Sequence, residues 1–292
     1  MSNSQNHLTV VELIEKTSHY FKQKEIENPR LNAERLLAHL LGIDRIQLYL
    51  QFDRHLSQTE ISKFRDFVRR RANREPLQYI TGGTEFMGLP FKVTPGALIP
   101  RPETEILVER TLLLQADYGV TAPKVLDIGT GSGCIAISLA HHWQESQIIA
   151  TDVSEESLNL ARENAQLNGV SDSIAFLNHN ILTDTVDPFK EVDIVVSNPP
   201  YISQEEFPDL DREVKDFEPR VALTDDGNGL GFYRKIFSLF EAGLACKFML
   251  VELSGTQTKE ILNQAQKISQ NVHIFDDLAG IPRVLQITRG EV

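Results

Sequence analysis

Cysteine is nearly missing from this chain. Cys134 and Cys246 are the only two among 292 residues, too few for a disulfide framework or a cysteine zinc site. The eight histidines show no metal-ligand spacing, and His141-His142 read as the end of a helix against which Trp143, the single tryptophan, packs. No metal is therefore expected. No apolar run reaches the roughly 18 residues that a membrane span needs. The opening segment MSNSQNHLTVVELIEK lacks the basic-then-apolar layout of a secretory signal and the Arg-rich, acid-poor look of a transit peptide, which predicts a cytoplasmic protein. Internal repeats and low-complexity tracts are absent. Positive charge is scarce, with 29 basic against 41 acidic residues and a formal charge of −12. That balance argues against a sequence-independent nucleic-acid binder, which must neutralise phosphates. What is present is a composition 41% hydrophobic and 24% charged, enough to bury a core. At roughly 100–200 residues per domain, the length suggests two domains.

The charge is uneven. Residues 1–95 carry a net +3 and residues 96–292 a net −15. The first part reads as a small helical bundle. Thr9 is placed to cap a helix presenting Val11, Ile14 and Phe21 on one face. Asn28-Pro29 is a cap followed by proline at the first helical position, and Ala33, Leu36, Leu37, Leu40 and Leu41 form a stripe of period 3.6 that Gly42 ends. Asp44 begins a short helix. Ser57 and Glu60 have capping-box spacing ahead of Ile61, Phe64 and Val68, and Pro76 stops that helix. Glycine and proline around Phe86 and Phe91 then suggest a hairpin, and Pro95, Pro100 and Pro102 a stiff segment. From there helices and strands alternate. Helices are expected over 104–115, 134–142, 154–167, 232–242 and 256–268. Strands are expected over 124–128, 147–151, 173–177, 192–197, 248–253, 272–275 and 283–288. Such alternation implies a largely parallel sheet with helices on both faces, and the two closely spaced final strands suggest an antiparallel edge.

The first expected strand runs directly into Gly129-Thr130-Gly131-Ser132-Gly133. The dinucleotide fingerprint would put its third glycine at position 134, which is cysteine, so the spacing G-x-G-x-G leans toward S-adenosylmethionine, which has no pyrophosphate to cradle. Asp152 lies just past the next strand, where a carboxylate can accept hydrogen bonds from both ribose hydroxyls of an adenosine. A plain tight turn with Asp152 as a helix cap, or a dinucleotide site, are the competing readings. Asp127 either satisfies loop amides or acts near the cofactor's amino group. Cys134, directly after the glycines, reads as a small helix-packing residue.

Asn198-Pro199-Pro200-Tyr201 follows the fourth strand of this pattern. Two prolines cannot continue a sheet ladder, so the chain leaves the sheet at its carboxyl edge on a rigid path. The chemistry suits an amide or aromatic amine, whose delocalised lone pair makes it a weak nucleophile. Acceptors such as the Asn198 side-chain oxygen and the Pro199 carbonyl can hold its two hydrogens, and Tyr201 can cover a planar group.

With these motifs, the chain resembles the N5-glutamine methyltransferases of peptide chain release factors, the HemK type, over nearly its whole length. The resemblance also rests on Tyr79-Ile80-Thr81-Gly82, Glu85-Phe86, Leu89-Pro90-Phe91, the segment from Leu98 to Glu105 (LIPRPETE), Glu218-Pro219-Arg220, Ala222-Leu223, Asp226-Gly227 and Gly229-Leu230. It implies an α/β fold, a Rossmann-like class I S-adenosylmethionine-dependent methyltransferase with a seven-stranded, mostly parallel sheet. The implied division is a helical substrate-docking domain over 1–80, a β-hairpin linker over 81–100 and the methyltransferase domain over 101–292. It further implies that S-adenosylmethionine binds at Gly129, Thr130, Gly131, Ser132 and Gly133 with its ribose at Asp152. Asn180 would stand near the adenine, where the wider fold often has an acidic residue, and Asn198 also borders the cofactor. Asn198, Pro199, Pro200 and Tyr201 would hold the glutamine of a Gly-Gly-Gln loop in a class 1 release factor, with Asn198 and Tyr201 as the catalytic pair. The expected protein is a monomer with no direct nucleic-acid substrate and no membrane partner.

Asn-Pro-Pro-Tyr also occurs in DNA adenine and ribosomal RNA methyltransferases, so methylation of adenine N6 or guanine N2 is the rival enzymatic reading. A non-catalytic nucleoside-binding protein is a rival of another class. Arg69, Arg70, Arg71 and Arg74 form either a solvated face or a docking patch. Arg101, Glu103 and Glu105 either shape the site entrance or pair with the segment around Glu218.

Overall fold

The computed structural model describes residues 8–185 and 189–290. They form two compact units: residues up to Gly82 together with Arg212–Phe217, and Gly83–Asp211 together with the chain from Glu218 onward.

In the first unit, α1 (Val10–Gln23) starts at Thr9, whose hydroxyl accepts the Glu12 amide while the Glu12 carboxylate accepts the Thr9 amide. The next helix, α2 (Pro29–Leu41), has proline in its first turn and ends at Gly42, in the left-handed conformation at φ 64°. Asn28 is not the expected side-chain cap. It is itself left-handed at φ 48°, and the Asn32 amide instead donates to the Glu27 and Asn28 carbonyls. Proline at the next position disfavours the right-handed region, and asparagine tolerates the left-handed one. Asp44 and Gln47 close the start of α3 (Arg45–Tyr49), and Ser57 and Glu60 that of α4 (Gln58–Ala72). Pro76 does not stop α4, which already ends at Ala72. It leads into an unexpected short helix, α5 (Leu77–Thr81). Ile14, Phe21, Leu36, Leu37, Ile61 and Phe64 form the centre of this unit's core.

The arginine cluster is largely consumed inside this unit. Arg69 pairs with Asp66, Arg70 with Glu75, and Arg74 donates to the Lys24 and Glu25 carbonyls. Arg71 is 4% exposed. Its guanidinium donates to Asn32 Oδ1 at 2.7 Å, to the Glu75 carbonyl at 3.0 Å and to Glu213 at 2.7 Å.

The second unit opens with a hairpin, β1 (Gly83–Phe86) and β2 (Leu89–Lys92). Met87 and Gly88 at its tip both have positive φ, the geometry of a tight hairpin turn. The helix α6 (Pro102–Tyr118) exceeds the expected 104–115, because Pro102 fits a first turn and Gly119 at φ 66° ends it. Then follow β3 (Lys124–Ile128), α7 (Cys134–His142), β4 (Gln147–Asp152), α8 (Glu155–Leu167), β5 (Ile174–Asn178) and β6 (Ile194–Ser197). The short α9 (Arg212–Lys215) belongs to the first unit. The chain closes with α10 (Gly231–Glu241), β7 (Phe248–Glu252), α11 (Thr258–Ile268), β8 (Asn271–Asp276) and β9 (Pro282–Thr288). The hairpin is anchored to α8: the Asn164 amide group accepts from the Lys92 N–H and donates to the Lys92 carbonyl.

The seven strands run in the order β5-β4-β3-β6-β7-β9-β8, the first five parallel. The two final strands form the expected antiparallel edge. The strand that runs opposite to both neighbours is β9, which lies inside the sheet, and β8 forms the edge. Alternate strand residues serve different cores. Val125, Ile194, Val196 and Leu250 pack with residues of α6, α7 and α8, whereas Leu126, Val195, Met249 and Val251 pack with α10 and α11. Burial on both faces is why these strands read as continuous apolar runs. The strand order reverses between β3 and β6, which opens a crevice at their carboxyl ends. Among the described residues, no helix is long and apolar enough to cross a membrane.

The arginines differ in what their loss should do. Arg71→Met strands the buried Asn32 oxygen and should lower unfolding free energy by about 2–3 kcal/mol. Arg69→Ala breaks an exposed pair and should change it by no more than about 0.5 kcal/mol. Urea denaturation of both variants beside the parent checks the contrast.

Candidate active site

The crevice holds a cavity of about 210 Å³. Four strand ends contribute to its walls: Gly129 and Gly131 after β3, Asp152 at the end of β4, His179 and Asn180 after β5, and Ser197 to Pro200 at the end of β6. Gly96, Ala97 and Leu98 line another side, and Pro219, Val221, Ala222 and Phe232 complete it.

The glycine loop is strapped to its neighbour. The Gly129 and Thr130 amides both donate to the Thr151 carbonyl, at 2.9 and 2.8 Å, and Gly131 donates to Asp152 Oδ2 at 2.9 Å. Gly129 and Gly131 have φ of 74° and 55°, and a Cβ on either would project into open space, so the backbone forms a cradle that side chains would fill. Gly133 is different. A Cβ there would lie 2.8 Å from Ile137 Cδ1 and 3.0 Å from Ala161 Cβ, so its bareness lets α7 approach α8. Thr130, Ser132 and Gly133 are not on the cavity wall. Thr130 is buried and its hydroxyl donates to Asp127 Oδ2 at 2.7 Å, while the Ser132 carbonyl accepts from Asn164.

Asp152 lies on the wall with both oxygens engaged, Oδ1 by the Ser154 amide and Oδ2 by that of Gly131. Burial nevertheless raises its carboxyl above the ordinary range, against those amides. Asp127 sits under the loop with no exposure. Burial pushes it up to about 7, with minor repulsion from Asp152, while the Thr130 hydroxyl and the Ala136 amide oppose the shift. Its Oδ1 has no hydrogen-bond partner among the described residues. A cradle of bare backbone beside the Asp152 carboxyl suits a nucleoside, and Asp127 lies beneath the loop, off the cavity wall. Asn180 also lines the cavity, but its Oδ1 already accepts from the Leu182 amide at 3.0 Å. Asn178 donates to the Val153 carbonyl.

At the end of β6 the Ser197 hydroxyl donates to the Ile128 carbonyl, tying the two strand ends together. Asn198 Nδ2 then donates to Thr104 Oγ1 at 3.1 Å, which leaves Asn198 Oδ1 available for a ligand. Tyr201 is partly buried against the core on the α10 and α11 side. Burial pushes its hydroxyl up to about 12, with repulsion from Glu252 adding and Arg101 and Arg283 opposing. The exit path is clamped: Ile202 donates to the Leu223 carbonyl, and a Cβ on Gly229 would sit 2.2 Å from the Tyr201 carbonyl. Asp225 holds that clamp by accepting the amides of Gly227, Gly229 and Gly231. Arg101 pairs with Glu218, and Glu105 accepts the Met87 amide, so both have structural partners.

Sequence reasoning overlooked two groups. Thr104 holds Asn198 from α6. Glu252, 2% exposed at the end of β7, is pushed by burial up to about 7, with Thr104 acting against the shift. The signal for Glu252 was an acidic residue closing an otherwise apolar strand. Among the described residues, no group of three or more His, Cys, Asp or Glu side chains is placed to hold a metal.

The raised Asp127 carboxyl has a consequence for stability. In the unfolded chain it ionises near 4, and in the folded protein near 7. Between these values the native state binds more proton, so Asp127's contribution to stability falls as pH rises through that window. Asp127→Asn abolishes this term, and its stability relative to the parent should improve between about pH 4 and pH 7. Urea unfolding across that range checks it, and a difference that does not change with pH would contradict a raised value.

Comparison with known proteins fits this geometry. The family profile for the PrmC N-terminal domain matches residues 12–82, and that for the methyltransferase small domain matches residues 103–214. The release factor glutamine methyltransferase of Chlorobaculum tepidum is 39% identical, over 95% of this chain and 96% of that protein. Its counterpart in Geobacter sulfurreducens is 42% identical, over 95% of each. Among solved structures, the hMettl16 catalytic domain bound to a MAT2A 3'UTR hairpin aligns with a TM-score of 0.55 at 17% identity, over 80% of this chain and 83% of that one. The N-terminal domain of human METTL16 in complex with SAH aligns at 0.51 and 22%, over 78% and 84%. These likenesses bear on the fold alone, the class I methyltransferase arrangement. The relatives' identity and coverage settle the family: this chain is a methyltransferase and belongs to the release factor glutamine methyltransferases.

Proposed function

We propose that this enzyme transfers a methyl group from S-adenosylmethionine to the side-chain amide nitrogen, N5, of the glutamine in the Gly-Gly-Gln motif of class 1 peptide chain release factors. The observation that carries the reading is that one cavity is lined both by Gly129, Gly131 and Asp152 and by Asn198, Pro199 and Pro200. Gly129 and Gly131 let the backbone approach the cofactor, Thr130, Ser132 and Gly133 shape the turn, Asp152 receives the ribose hydroxyls and Asn180 borders the adenine. S-adenosylmethionine supplies a sulfonium methyl already activated for transfer. The protein therefore contributes position: Asn198 Oδ1 and the Pro199 carbonyl accept the two amide hydrogens, and Tyr201 covers the planar group. We read the enzyme as a cytoplasmic monomer whose partner is a protein and not a nucleic acid. The relatives' names and the acidic character of residues 96–292 support that reading.

Methyl-labelled S-adenosylmethionine offered with release factor, DNA or ribosomal RNA in parallel tests it. Label should enter the release factor and disappear when its Gly-Gly-Gln glutamine is replaced. Label in nucleic acid with none in the release factor would establish adenine N6 or guanine N2 methylation instead. Asn198→Ala should cut turnover by about 100-fold or more while cofactor affinity changes by less than about fivefold. Labelling rates and calorimetry read the two quantities.

A further inference from the structure

The chain beyond Asn198 is received by a turn that has few side chains to hold its shape. Residues 227–231 contain three glycines. One carboxylate supplies the order instead. Asp225 Oδ1 accepts the Gly227 and Gly229 amides, both at 2.9 Å, and Oδ2 accepts the Gly231 amide at 2.8 Å. The turn in its fixed shape grips residues 201–204. Ile202 donates to the Leu223 carbonyl at 3.0 Å, and Gln204 donates to the Gly227 carbonyl at 2.8 Å. Gly229, buried and left-handed at φ 74°, lies so close to Tyr201 that a Cβ would overlap the Tyr201 carbonyl oxygen and stand 2.7 Å from Gln257 Nε2.

Resting on the proposed methyl transfer, we infer that Asp225 is a positioning residue for the methyl-acceptor end of the site, acting through Gly229 on Tyr201. Asn198 to Tyr201 is a short span fastened at both ends. At its start the Ser197 hydroxyl is tied to the Ile128 carbonyl. Pro199 and Pro200 have fixed φ, so a displacement at the far end is poorly absorbed between them. Moving the Tyr201 peptide therefore moves the Pro199 carbonyl, an acceptor for the substrate amide. It also moves the Tyr201 ring, which hangs on that peptide by two side-chain torsions. A weak nucleophile that must attack the methyl in line is sensitive to such shifts, and a misplacement of about 1 Å can cost about 100-fold in rate.

The two oxygens of Asp225 divide two tasks. Oδ1 shapes the turn that meets Tyr201. Oδ2 serves the start of α10, where Leu230, the residue before the helix, supplies no side-chain cap. Asparagine at position 225 separates the tasks. Its oxygen can still accept from Gly227 and Gly229, while its NH₂ would face the Gly231 N–H, donor against donor. The opposite orientation would set two such clashes in place of one. Asp225→Asn thus keeps the grip on Tyr201 and loses the helix cap, whereas Asp225→Ala loses both.

The test uses the full chain, labelled S-adenosylmethionine and release factor. Labelling rates give kcat and KM, calorimetry gives cofactor affinity and urea unfolding gives stability. Asp225→Ala should lower kcat by about tenfold to 100-fold, with cofactor affinity and the release factor KM within about threefold of the parent. Asp225→Asn should keep kcat within about threefold while its urea midpoint falls. Gly229→Ala should lose kcat as Asp225→Ala does. Gly280→Ala is its control: Gly280 has nearly the same φ, 77°, and a Cβ there meets nothing within 4 Å, so kcat should stay within about twofold. The inference is overturned by parental kcat in Asp225→Ala or Gly229→Ala, by equal loss of kcat in Asp225→Asn and Asp225→Ala, or by cofactor affinity that falls in step with kcat. Calorimetric cofactor binding reports folding, and Asp225→Asn with the two glycine variants carries the test should Asp225→Ala not fold. A parent enzyme that labels only nucleic acid would refute the substrate reading, and the same kcat comparison on that acceptor still decides the role of Asp225.

Discussion

The site depends on the register of parallel strands. Ile128 pairs with Thr151 on one side and with Ser197 on the other, and Ser197 pairs with Val251. The residues one step further, Gly129, Asp152, Asn198 and Glu252, therefore share one row across four strands. A shift of one residue in any strand would turn its side chain to the opposite face and break the row. The sheet is protected from such a shift because both faces are buried and each strand alternates between two cores. Packing far from the chemistry thus sets the spacing between the glycine cradle and Asn198.

Alternation also explains why Thr104 meets this row. Val196 and Leu250 face the core shared with α6, and Asn198 and Glu252, two residues on, point the same way. The first turn of α6 brings Thr104 to that side, while the chain beyond Asn198 is controlled from elsewhere. Two prolines take Tyr201 out of the ladder, and the Asp225-centred turn presses Gly229 against the Tyr201 carbonyl. Strand register, helix start and glycine turn each remove a different freedom from the Asn-Pro-Pro-Tyr segment, so its path is fixed by the fold.

Much of this was legible from sequence because it is encoded locally. Capping pairs such as Thr9 with Glu12 and Ser57 with Glu60 lie three residues apart, and the strand ends were placed within one or two residues from apolar runs and the glycines that follow. What was not legible required long-range contact. Strand order and the inward place of β9 join segments tens of residues apart, and Thr104 meets Asn198 across 94 positions. The local errors have local causes: Pro76 breaks a helix and starts one equally well, and Asn28 before a proline takes a left-handed conformation where its side chain caps nothing. Within the glycine loop, pattern alone could not separate Gly129 and Gly131, bare because of the cavity, from Gly133, bare because two helices approach.

The charge pattern acquires a physical meaning at this level. The basic surplus of the first part is not a free patch, since Arg69, Arg70, Arg71 and Arg74 each already have an acceptor within their own unit. In the second unit three acids stand at or under the site, Asp127, Asp152 and Glu252, each raised by burial. Arg101, one of the cations near them, is already paired with Glu218. A polyphosphate acceptor would bring repeated negative charge toward these carboxyls. A neutral amide meets no such penalty. A sulfonium and its ammonium group would favour the ionised form of the same acids. Acids that are costly in the empty protein thus become favourable when a cationic cofactor and an uncharged side chain share the cavity, which is the pairing that the proposed methylation of glutamine requires.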